Sequence, residues 1–170
     1  DRRARFRCVI ALCAPDGRLV DRLTTPGDSA GLLAQPVPAL DENAAAAEVL
    51  LRIAAFTGDS RPREQALGIL AAWGTRYERH GVAAASYAQA LLRYIERPDQ
   101  VVVGGRDDPE ARRLHAAALA TPRPLRTVQW LDPSQPDDAA HLERTALPAG
   151  SGVAAAGYVC RGHSCSPFHP

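Results

Sequence analysis

Val101-Val102-Val103-Gly104-Gly105-Arg106-Asp107-Asp108-Pro109 is the stretch that decides the fold class. Three consecutive β-branched residues suit a strand covered on both faces rather than one that alternates. Two glycines interrupt it, and Asp-Asp-Pro follows. Aspartate accepts from the free N–H groups of a helix start, and proline is pre-set for the first turn. A strand passing through a short turn into a helix opens a βαβ unit. The helix is expected to reach about Ala120, and Leu125–Leu131 reads as the next strand. After a loop at Pro133–Asp138, a short helix near Ala139–Thr145 leads to a last strand, Val153–Cys160. Residues 99–170 therefore read as a small α/β part. The same turn carries no G-x-G-x-x-G and no G-K-[ST], and Asp107 and Asp108 repel an anion, so it reads as a plain strand-to-helix connection rather than a phosphate site.

Upstream, the period changes to that of helices. From Asp41, which can cap a helix, Ala46, Val49, Leu50, Ile53 and Ala54 recur at three- and four-residue steps. Thr57-Gly58-Asp59 closes this helix with Gly58 just past its end. Ser60 and Pro62 open a second, with Ala66, Leu67, Leu70, Ala71, Trp73 and Tyr77 inward and His80-Gly81 at its close. So short a link predicts an antiparallel hairpin. A third helix is expected over Ala83–Arg97, burying Tyr87, Ala90, Leu91, Tyr94 and Ile95. Residues 41–98 thus form helical hairpins. Residues 1–40 read as a β-hairpin, Phe6–Cys13 with Leu19–Leu23 about Pro15-Asp16-Gly17, followed by a loop at Thr24–Leu40. The whole is mainly α with a small α/β part.

Composition narrows the function. The 20 basic residues, all arginine, balance 19 acidic ones to a net charge of +1, which argues against a nucleic-acid or anionic-membrane partner. No run approaches the ~20 apolar residues of a membrane span. Four cysteines in 170 residues are too few for a secreted disulfide scaffold, so a cytoplasmic location is expected. Methionine is absent, position 1 included, which implies that the protein continues upstream of Asp1.

Two groups of residues are candidates for chemistry. In the tail, Cys160 and Cys165 stand five apart near Arg161 and His163. As a thiol pair they can form a reversible disulfide, with Cα atoms expected within about 7 Å. Small buried apolar residues are the plainer reading of both. A zinc site from Cys160, His163, Cys165 and His169 has the ligand number but not the spacing of a common zinc knuckle. Cys8 and Cys13 repeat the offset, on opposite faces of a strand. At the mouth of the first helix, Asp41, Glu42 and Asn43 form a candidate pocket, since paired carboxylates can do acid–base work on a sugar. Only Trp73 and Trp130 are available as stacking platforms. His80, His115 and His141 stand singly and read as surface residues, and no metal or cofactor is expected.

Asp41–Asp59, Val101–Gly105 and Tyr158-Val159-Cys160 through Cys165 to Pro167, in this order, resemble the C-terminal part of the thioredoxin domain-containing proteins of the spermatogenesis-associated type. The resemblance spans nearly the whole chain. It implies an N-terminal thioredoxin-like domain, absent from this sequence, and an (α/α)6 toroid similar to six-hairpin glycosidases and sugar 2-epimerases, of which residues 41–98 are the terminal hairpins. Where many relatives have Pro-Ser-Gly-Asn before the first helix, this chain has Leu40-Asp41-Glu42-Asn43. No catalytic residue is carried over. The expected role is carbohydrate-related or redox-linked, with the missing N-terminal part and a carbohydrate ligand as partners. The competing expectation is a non-catalytic scaffold or interaction module.

Overall fold

The computed structural model describes residues 14, 16–22, 31, 35–96, 98–121, 125–145, 147, 155–161 and 164–168. They divide into two compact units, Asp1–Leu51 with Arg61–Leu91, and Arg52–Ser60 with Leu92–Pro170. The class is mainly helical with one small sheet. No described helix is long and apolar enough to cross a membrane.

The first unit is helical. At its start Ala14 N–H donates to the Arg18 carbonyl and Gly17 N–H to the Ala14 carbonyl, with Gly17 at φ +86°, so the chain reverses at Asp16-Gly17. The strand Phe6–Cys13 expected before it, and most of the loop that follows Leu23, lie outside the described residues. Helix α1, Leu40–Thr57, opens one residue before Asp41, so Asp41 lies inside the first turn rather than capping it. In this unit α1 buries Leu40, Asn43, Ala44, Ala47, Leu50 and Leu51. Val49, expected inward, is exposed. The four alanines from Ala44 to Ala47 let the apolar stripe be drawn on more than one face, and Asn43, tied to Leu19, selects the one observed.

Helix α2, Arg61–Trp73, buries Pro62, Ala66, Ile69, Leu70 and Trp73 and leaves Leu67 and Ala71 exposed, which corrects the expected face by one step. It also ends seven residues early. Gly74 N–H turns back to Ala71 and Arg76 N–H to Trp73, tightening the last turn. A 3₁₀ segment follows over Tyr77–Ala84, broken at Gly81. Tyr77 is thereby freed from the helix and stacks on Tyr87, 5.1 Å between centroids. Helix α3, Ala85–Glu96, buries Tyr87, whose hydroxyl donates to the Leu70 carbonyl at 2.9 Å, and Ala90.

The second unit is built on a four-stranded sheet. Strand β1, Pro98–Val103, runs into helix α4, Pro109–Ala120, and on to β2, Thr127–Leu131; helix α5, Pro136–Thr145, precedes β3, Ala156–Arg161, and β4, Ser164–Phe168. The order across the sheet is β2-β1-β3-β4, with β1 parallel to β2 and antiparallel to β3, and β3 antiparallel to β4. Asp108 caps α4 by accepting from Glu110 N–H, as the Asp-Asp-Pro signal predicts. Helix α5 begins three residues before the expected Ala139, because Pro136 takes its first position, where a missing N–H costs nothing.

Strand alternation sorts the core into two faces. Val102 packs with Ala111, Leu114 and Ala118 of α4, joined by Val128, Trp130 and Phe168. Val101 and Val103 pack on the other face with Leu131, Leu142 and Cys160, joined by Leu147, Tyr158 and Cys165. The end of α3 departs from its expected pattern: Ile95 is 66% exposed while Arg93 is buried, its guanidinium at hydrogen-bond distance from the Thr127 hydroxyl.

Candidate functional site

The site grows from the β3–β4 hairpin. Tyr158-Val159-Cys160 is a β-favouring run, and Gly157 before it is required by space. A Cβ at 157 would stand 2.7 Å from Phe168 Cδ1, so the absence of a side chain lets β4 lie against β3 with Phe168 over it. The register pairs Cys160 directly with Cys165 and Arg161 with Ser164. The two cysteines are joined by a disulfide with Cα atoms 4.0 Å apart.

The two halves of this bond stand in different surroundings. Cys160 is on an inner strand, 2% exposed, in one buried cluster with Val101, Val103, Leu131 and Leu142. Cys165 is on β4, at the edge of the sheet, and partly exposed. Arg161, adjacent to Cys160 in sequence, is exposed. His163 and His169, and Cys8 and Cys13, lie outside the described residues. Sulfurs bonded to each other are not thiolate ligands, and the described residues hold no group of three or more metal-ligating side chains.

Asp41, Glu42 and Asn43 do not converge. Asp41 and Glu42 are exposed, whereas Asn43 is 1% exposed. The Asn43 amide is spent on backbone: Oδ1 accepts from Leu19 N–H at 2.7 Å, and Nδ2 donates to the carbonyls of Leu19 and Ala39. The ring neighbours of the two tryptophans are residues other than Asp41 and Glu42. Trp73 is buried, with His80 edge-on and the Arg18 guanidinium 5.6 Å from the ring centroid. Trp130 has Arg106 at 5.2 Å and His115 at 5.0 Å from its ring.

Two polar networks escaped the sequence reading. At the carboxyl ends of β1 and β2, where open α/β sheets bind ligands, Asp132 accepts from Arg106 N–H and from the N–H and hydroxyl of Ser134. Asp138 accepts from the Arg106 guanidinium and from Asp132 N–H. The Ser134 bonds, with Arg106, hold the Asp132 carboxyl below the usual carboxylate range. Both carboxylates are consumed in tying the turn after β1 to the turn after β2. The second network is centred on His141, which is 5% exposed rather than a surface residue. Its Nε2 meets Gln129 Oε1 at 3.1 Å, and Gln129 Nε2 donates to the Ala55 carbonyl. Burial and nearby Arg144 hold His141 below the usual histidine range, opposed by the Thr57 carbonyl and Asp138.

Compared with protein-family models, with curated proteins and with solved structures, the chain matches none.

Proposed function

We propose that this chain is a redox-linked module, the C-terminal part of a cytoplasmic thioredoxin domain-containing protein, in which Cys160 and Cys165 cycle between disulfide and dithiol. The observation that carries this reading is the placement of the bond, from an inner strand to a partly exposed residue on the edge strand. Two physical arguments support it. Closing a loop of so few residues constrains the unfolded chain by only about 2 kcal/mol, a small return for a structural staple. Disulfides in the cytoplasm are mostly transient, catalytic or sensing, because the compartment keeps thiols reduced. The helices of the first unit are, on this proposal, hairpins of an α/α toroid completed by the N-terminal part. A carbohydrate role draws nothing from Asp41, Glu42 and Asn43, since the Asn43 amide is already bonded to backbone.

Equilibration with glutathione buffers of graded ratio, followed by acid quench and thiol counting, tests the proposal. A reversible two-electron transition with a midpoint above about −300 mV supports it. A pair that stays oxidised at every ratio is a static staple, and the redox reading then fails.

A second reading, a non-catalytic interaction module, is favoured by Leu92 and Ile95, exposed at 43% and 66% and three residues apart on α3. Replacing both by Glu leaves a redox module's midpoint unchanged, whereas an interaction module loses association with the rest of the protein.

A further inference from the structure

The disulfide is asymmetric, and the asymmetry fixes the order of events at it. Thiol–disulfide exchange proceeds by attack of a thiolate on one sulfur, roughly in line with the S–S bond, while the other sulfur leaves. The bond runs across the ladder from β3 to β4. Cys165 lies on β4, which is paired on one side only among the described residues. Cys160, on the inner strand β3, shares a buried cluster with Val101 of β1, the strand paired with the other side of β3. Cys165 is partly exposed and Cys160 is 2% exposed. Burial and strand position therefore point to the same sulfur.

We infer that Cys165 is the sulfur attacked by an incoming low-molecular-weight thiol and that Cys160 is the leaving and resolving thiol; this rests on the redox reading of the same pair. In the forward step the thiolate RS⁻ bonds to Cys165 Sγ, the Cys160–Cys165 bond breaks, and its electron pair stays on Cys160, which then takes a proton from water. In the second step another RS⁻ attacks the R-bearing sulfur of the mixed disulfide, giving RSSR and freeing Cys165 as thiolate. Two thiols are oxidised and one disulfide is reduced. The apolar neighbours of Cys160 solvate an anion poorly, so the freed sulfur is held protonated and returns slowly. The mixed disulfide at Cys165 therefore accumulates as an intermediate. Pro167, on the same edge strand, lacks an N–H and blunts pairing by an extended peptide, which favours a small thiol over strand addition by a protein.

The test uses the full chain with Cys8 and Cys13 replaced by Ser, and glutathione as the probe. Cys160→Ala keeps the core position apolar and leaves Cys165 alone; Cys165→Ser leaves Cys160 alone. Each is reacted with glutathione disulfide, quenched in acid, and mapped by peptide mass, folded and in urea. The expected result is modification of Cys165 at least roughly tenfold faster than Cys160 in the folded protein, with the difference lost in urea. With both cysteines present, reduced glutathione gives a single adduct, on Cys165. Equal rates, or an adduct on Cys160, overturn the inference. Failure of the redox reading is distinguishable, because the parent pair then stays oxidised at every glutathione ratio while the single-cysteine rates still report which sulfur is reached.

Discussion

Asn43 binds both backbone polar groups of Leu19, 24 residues away, accepting from its N–H at 2.7 Å and donating to its carbonyl at 2.9 Å. One buried side chain thus completes the backbone pairing of a segment that approaches α1 without belonging to a described strand ladder. Asn43→Ala leaves two Leu19 groups and one Ala39 bond unmade. The expected loss is about 2–4 kcal/mol, since each buried polar group stripped of its partner costs about 1–3 kcal/mol. Urea denaturation measures it. A loss under 0.5 kcal/mol, the order typical of surface substitutions, means that the pairing contributes no more than solvent would.

His141 makes stability pH-dependent. Its folded-state value is depressed, chiefly by burial and then by Arg144. The unfolded chain therefore takes up a proton first as the solution is acidified. Stability is fully present above about pH 6.5, the ordinary histidine value, and falls as pH drops through the lower folded value. His141→Gln removes this loss. Asp132, also depressed, acts in a separate window below about pH 4, where its protonation in the unfolded chain begins to cost stability. Urea midpoints at pH 7.5 and 5.5, for the parent and His141→Gln, isolate the histidine. An unchanged slope between them excludes it.

Gly157→Ala places a methyl 2.7 Å from Phe168 Cδ1 and 3.3 Å from its carbonyl oxygen. Phe168 must then leave the cluster it shares with Leu114 and Val102. Overpacking of this kind costs about 1–3 kcal/mol. Gly105→Ala, with nothing within 4 Å of the added methyl, is the control and is expected within about 0.5 kcal/mol of the parent. Thermal unfolding of the pair separates a steric cost from a general intolerance of alanine.

Reduction of the Cys160–Cys165 bond is expected to cost no more than about 2 kcal/mol, because its loop is short. The reduced protein remains folded, and its far-ultraviolet circular dichroism is unchanged at neutral pH. Global unfolding on reduction would show instead that the bond is needed to hold the sheet together.

The parts of the fold written in neighbouring residues were legible, and those written in distant ones were not. Three valines and Asp-Asp-Pro locate β1 and the start of α4 because both signals are local. Thr57-Gly58-Asp59 likewise marks the end of α1, with Gly58 at φ +66°. Strand β4 was missed: Ser164–Phe168 is short, polar and contains a proline, and it becomes a strand only because β3 offers an edge and Gly157 makes room for Phe168. His141 was misread for the same reason, its partners Gln129 and Thr57 being remote in sequence. The spacing of Cys160 and Cys165 allowed a disulfide but favoured two small buried residues; the β3–β4 register is what pairs them, and the inequality of the two sulfurs depends on where β3 and β4 lie in the sheet.

Strand β1 has consequences for the order in which the protein is made. It needs partners on both sides, Thr127–Leu131 and Ala156–Arg161, and both are synthesised after it. On the ribosome its valine-rich backbone emerges with two open edges. The first is closed by a parallel crossover, the second only after more than fifty further residues have followed. Pairings of this separation are slow to form, and unpaired apolar strands are the segments on which nascent chains aggregate. The hairpin that carries the disulfide is therefore also the clasp of a vulnerable strand, and its arrival decides whether that strand joins a folded sheet or stays a sticky edge.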